Sequence, residues 1–161
     1  LWRYFFMYLL GENGLGKILK VFLQTCFFGG ILLLIIWPFQ LKLLGLKPNA
    51  VALVIYPNGI ALLVIVYQFI GLFDSLKNNN PFCIENVKRM KYAGIASLIE
   101  AVLWGLDLVY EVVLAKTIEP LFITVLGFLF ILFTGVAIAL YILSELFKQA
   151  TEYKKENELT I

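Results

Sequence analysis

The sequence predicts an all-α integral membrane protein: a four-helix transmembrane bundle with a short extracellular, strand-like segment between helices 1 and 2. Three observations lead there. Of 161 residues, 61% are hydrophobic and only 15% charged, where a water-soluble domain carries about a quarter charged residues. Mean hydropathy is +0.91. The apolar residues also fall in four blocks, each near the roughly 20 residues that a helix needs to cross a bilayer core.

The elements follow in order within a single transmembrane domain. The opening stretch LWRYFFMYLLGENGLGK lacks a cleavable-signal layout. Its Trp2, Arg3, Tyr4 and Tyr8 read as an interfacial segment. The first span covers about residues 21–39, after Lys17 and Lys20, and closes on Trp37 and Pro38. The second has two readings. It begins near Ala50 and kinks at Pro57, or it begins at Pro57, where a missing N–H costs a helix nothing. The second reading is preferred because YPNG reads as a break. Span two is then 57–73, and Gln40 to Tyr56 is an exposed, Val- and Ile-rich segment. Span three covers about 92–114. Span four starts at Pro120 and stays apolar to about 146. Residues 147–161 form a charged tail, with Lys148 and Glu152 four apart on one face. They read as a helix leaving the membrane.

Charge sets the expected orientation. Of 13 Lys and Arg, three precede span one (Arg3, Lys17, Lys20) and four lie between spans two and three (Lys77, Lys88, Arg89, Lys91). Three more lie in the tail (Lys148, Lys154, Lys155), and only Lys42, Lys47 and Lys116 fall on the other side. The positive-inside rule places both termini in the cytoplasm.

Composition also narrows function. There is no histidine, and Cys26 and Cys83 stand far apart without metal spacing. No metal, cofactor or disulfide framework is expected. A net charge of +2 without a basic patch argues against direct nucleic-acid binding. No nucleophile is paired with a base, so the chain reads as a protein that is not an enzyme.

The polar stretch NNNPFCIENVKRMK, residues 78–91, interrupts the apolar blocks. Asn78 to Asn80 suit turns, and Pro81 excludes a preceding helix. Cys83 stands where an N-cap belongs, and Glu85 lies in the first turn, favourable to the helix dipole. Lys88, Arg89 and Lys91 sit at headgroup level, with stems free to snorkel. The plain reading is a helix start at the cytoplasmic interface. The sharper one is a docking loop, formed by Pro81, Phe82, Glu85, Asn86, Lys88 and Arg89, for a cytoplasmic regulatory protein. Within NPFCIENVKRMKYAGIASLI, residues Pro81, Phe82, Glu85, Asn86, Val87, Lys88 and Arg89 resemble the signature of the bacterial domain-of-unknown-function 2975 family. Cys83 departs from its usual Ser or Thr. The resemblance implies a small four-span protein of the bacterial plasma membrane, often encoded beside a small helix-turn-helix regulator. It implies no established biochemical activity.

A second feature is the acidic run in span three. Glu100, Asp107 and Glu111 are spaced seven and four apart, within about 40° on a helix surface. Trp104 lies near the same stripe. Glu100 falls close to mid-bilayer, where a charged carboxylate costs at least ~2.5–3.5 kcal/mol. No Lys or Arg lies inside any span to offset it. Three outcomes remain open. The acids are protonated and bonded to groups such as Gln24, Gln68 or Tyr67; they face a watery vestibule; or they hold a cation or cationic ligand. Ser97, Ala101 and Gly105 in span three, and Gly135 and Ala139 in span four, repeat every four residues and suit close helix packing. Homo-oligomer contact is the alternative for them.

Two functional expectations follow. One is a regulatory or binding module in the lipid bilayer that senses or sequesters a small ligand or peptide and signals to a cytoplasmic partner. The other is a small oligomeric transporter or channel subunit, coupled to protons or cations through Glu100 and Asp107.

Overall fold

A computed structural model describes residues 15–43, 48–77, 81–115 and 119–159. The interfacial reading of Trp2 to Tyr8 and the turn reading of Asn78 to Asn80 lie outside the described residues, as does Lys116. Four helices make up nearly all of what is described: α1 (Leu15–Leu43), α2 (Pro48–Lys77), α3 (Ile84–Tyr110) and α4 (Pro120–Leu159). A π-helical turn, Glu111–Ala115, extends α3. All four helices contain a stretch long and apolar enough to span a membrane: Gly16–Phe39, Ile55–Ser75, Ile84–Val113 and Pro120–Asn157. This is a multi-pass helical membrane protein.

Helix is the form that lipid enforces, because only it satisfies every backbone donor and acceptor within one segment. The polar side chains obey the same rule. Thr25, Ser75, Ser97, Thr124, Thr134 and Thr151 each donate a hydroxyl to the carbonyl four residues earlier, at 2.7–3.2 Å.

The strand-like segment between helices 1 and 2 is corrected. Residues 40–43 continue α1, and α2 starts at Pro48, so Pro57 lies inside α2 rather than at its start. Val and Ile enrichment is a weak preference. It yields to a continuous helical hydrogen-bond ladder, and one interior proline is tolerated in a membrane helix. Pro48, not Pro57, takes the first helical position.

The extensive contacts run between chain neighbours: α1 on α2, α2 on α3, and above all α3 on α4. Helix α1 is the peripheral member. It meets α2 through Leu34 against Gly59, Leu63 against Gly30, Phe27 beside Tyr67 (6.1 Å) and a Lys20–Asp74 ion pair. Its outward Phe22, Phe28 and Phe39 are exposed, as lipid-facing residues are.

The core is the α3–α4 seam. Ala93, Ser97 and Ala101 are at most 2% exposed. A Cβ at Gly94 would lie 3.4–3.7 Å from Leu140, the Ala137 carbonyl and the Tyr141 amide, and Gly105 faces the Phe130 ring. Small residues let the two backbones approach, which in lipid is the main source of helix association. From α4 the partners are Leu126, Ala137, Leu140 and Ser144. Gly135 and Ala139 are corrected: both are exposed, and a Cβ at Gly135 meets nothing within 4 Å. Two residues from Ala137 is about 200° around the helix, so they face away from α3.

With 40 residues, α4 is about 60 Å long, twice the ~30 Å hydrocarbon core. Its far end stays packed on the start of α3: Phe147 lies 5.3 Å from Phe82, and Thr151 is buried. The tail from residue 147 to 159 is thus an unbroken continuation of α4.

Candidate functional site

Helix α3 presents three faces. Gly94, Ala101 and Gly105 turn to α4. Arg89, Tyr92, Ala96 and Ile99 turn to α2. At about 100° per residue, Ala93, Glu100 and Trp104 fall between those two faces, in the interior. Glu100 has no exposed surface. It stands 16 residues, about 24 Å, along α3 from Ile84, near the middle of the 30-residue membrane stretch.

The chemistry at Glu100 is unusual for so buried a group. The Trp104 indole and the Leu62 backbone amide lie within interaction range of its carboxyl, yet neither meets hydrogen-bond geometry. Both carboxyl oxygens and the Trp104 Nε1 therefore lack hydrogen-bond partners among the described residues. Such a group costs about 1–3 kcal/mol when left unsatisfied. The sequence suggested Gln24, Gln68 or Tyr67 as partners, and none bonds to it. Tyr67 instead stacks beside Phe27, and Gln68 lines a different groove.

Asp107 and Glu111 continue the stripe toward the far end of α3. Both are partly exposed, and they stand one turn apart. Among the described residues the three acids do not converge into a cluster that could hold a metal ion. They form a line: one sealed acid at mid-helix and two open ones about 10 and 16 Å further along.

The residues of the polar loop part company. Asn86 is 1% exposed and donates Nδ2 to the Pro81 carbonyl at 2.9 Å, tying the turn to the helix. Cys83 is the N-cap residue, with extended backbone and no side-chain cap bond. Backbone amides of Asn86 and Val87 bond its carbonyl instead. Phe82 is partly covered by Phe147, and Val87 is buried in the core. Arg89 lies across α2, its guanidinium filling the space that a Cβ at Gly71 would need. Only Glu85 and Lys88 of the six candidate docking residues point freely outward along with the open edge of Phe82.

Two further groups stand out structurally. Asn58 is buried on α2, one turn from Leu62. The sequence reads PNG as a break, and that turn chemistry masked an interior polar residue. Gly71 accommodates Arg89, which no local spacing reveals, since the two lie on different helices.

A family model described as a protein of unknown function (DUF2975) matches residues 9–161. No curated protein and no solved structure matches the chain.

Proposed function

The chain belongs to the DUF2975 family, and from its own residues we propose that it is a non-enzymatic membrane binding module for a small organic cation. The carrying observation is Glu100, fully buried at mid-membrane depth with both carboxyl oxygens unbonded beside an unbonded indole N–H. A cation entering there cancels the penalty on a carboxylate in lipid. The Trp104 ring adds a cation–π surface. Asp107 and Glu111, half-open on the same stripe, attract such a ligand toward α3 from its far end.

The readout is the α3–α4 seam. Occupancy at Glu100 shifts α3 against α4, and α4 runs without interruption to Leu159. A cytoplasmic partner reads the exposed faces of that extension. This keeps a signalling role but moves its surface from the 81–89 loop, whose Asn86 is bonded to Pro81 and whose Arg89 lies across α2, to α4.

Titration of the purified protein in nanodiscs with primary amines, guanidinium compounds and quaternary ammonium compounds tests this. Saturable thermal stabilisation is expected in the native chain and is lost in Glu100→Gln. Equal response of the two proteins to every cation class would end the proposal. The line of acids favours one second reading, a cation path through an oligomer. Glu100- and Asp107-dependent cation flux in proteoliposomes would support it, and an absence of flux under any gradient would remove it.

A further inference from the structure

Helices α2 and α3 diverge enough to leave an open groove of about 700 Å³ on the outside of the bundle. Pro57, Ile60 and Val64 form one wall, and Tyr92, Ile95 and Ile99 the other. This groove is distinct from the Glu100 site, which faces inward. It lies within the membrane stretches of both helices. Along α2 it runs from Tyr56 to Gln68, about 18 Å, close to half of the ~30 Å hydrocarbon core. It is therefore long enough to take much of one acyl chain, and it has the polarity of one.

The two ends differ: Tyr56 closes one, and the other carries an amide and lies nearest to two cations. Gln68 and the Tyr92 ring mark the second end. One turn further out, Arg89 lies three residues before Tyr92 and reaches across to Gly71, three residues beyond Gln68. Lys88, exposed, is one full turn before Tyr92. Asp74, the nearby acid on α2, is engaged by Lys20. Among the described residues Arg89 has no ion pair, and its guanidinium lies against Gly71, just beyond the groove's Gln68. Because helix side chains tilt toward the N-terminus, both cations project beyond the apolar walls, past the end that Gln68 and Tyr92 mark. Gly71 is what lets Arg89 lie there, since a side chain at 71 would displace it.

We propose that this groove is a binding site for an anionic phospholipid, with one acyl chain between α2 and α3 and its phosphate held by Arg89 and Lys88. Planar guanidinium is the natural phosphate fork, and the apolar walls supply no competing anion.

The test titrates the delipidated full chain with phosphatidylglycerol, phosphatidylcholine or inorganic phosphate and counts bound lipid on the folded protein by native mass spectrometry. Phosphatidylglycerol should bind roughly thirtyfold tighter than phosphatidylcholine, as two interfacial cations imply. Arg89→Gln should cut that preference to roughly fivefold or less. Ile60→Trp, placed on an exposed wall position, should reduce retention of both. Lys88→Gln serves as a milder second variant, expected to narrow the preference only partly, if Arg89→Gln unfolds. Equal binding of both lipids by the native chain overturns the proposal. So does full competition by inorganic phosphate, which would mean a free-anion site. Retention unchanged in Ile60→Trp overturns it as well. A lipid-free dimer dissolved by Ile60→Trp would assign the groove to a second copy of the chain instead.

Discussion

Replacing Glu100 by methionine should stabilise this protein. Its carboxyl is fully buried, both oxygens are unbonded, and no cation within the described residues offsets it. Leaving such a group unsatisfied costs about 1–3 kcal/mol, and more where it is ionised at mid-membrane. Methionine has similar length, no polar atom and enough flexibility to fill the same space. The expected gain is therefore about 1–3 kcal/mol, roughly a five- to hundredfold shift toward the folded form. Glu100→Gln, which keeps shape and polarity, should stay within about 0.5 kcal/mol of the native protein. The assay is reversible unfolding by SDS in mixed micelles, followed by tryptophan fluorescence, with Trp104 reporting directly on the site. A residue kept for binding rather than for stability shows this pattern: function is lost as stability rises. A loss of 1 kcal/mol or more in Glu100→Met, with Glu100→Gln unaffected, would show that the carboxyl holds the bundle together. The reasoning would then be wrong.

Other outcomes follow from the packing. Gly94→Leu forces a branched side chain against Leu140 and the α4 backbone, and should cost about 1–3 kcal/mol in the same unfolding assay. Gly135→Ala meets nothing within 4 Å and should be neutral or stabilising by up to ~1 kcal/mol. Asn86→Ala removes the bond to the Pro81 carbonyl and should cost about 1 kcal/mol, with faster proteolysis before Ile84. Phe147→Ala uncovers Phe82 and should free the end of α4, read as earlier hydrogen exchange beyond residue 147 and a loss near 1 kcal/mol.

Hydropathy alone revealed four helices, because lipid leaves a spanning chain few alternatives and the apolar blocks are long. Boundaries were harder. Pro57 and Asn58 mimic a turn, yet the ladder runs through them from Pro48. The seven–four spacing of Glu100, Asp107 and Glu111 reads as one helical stripe. It did not reveal which would be sealed, since that depends on α2 and α4. The small residues of α3 face its neighbour, whereas Gly135 and Ala139 do not: spacing defines a stripe, but only the rotation of α4 decides where the stripe points. Arg89 read as a headgroup-level charge with a snorkelling stem. Its seat on Gly71 is a contact between residues 18 positions apart, invisible to local pattern.

Chemical labelling of Glu100 addresses the binding site most directly. The folded protein in lipid is treated with a membrane-soluble carbodiimide or with a charged, water-soluble one, and the modified carboxyls are located by peptide mass. A site that opens to small molecules predicts modification of Glu100 by the membrane-soluble reagent and protection by a bound organic cation, with Asp107 and Glu111 reached by the charged reagent. A Glu100 that stays unmodified by both reagents, or one whose modification no cation slows, would contradict the account.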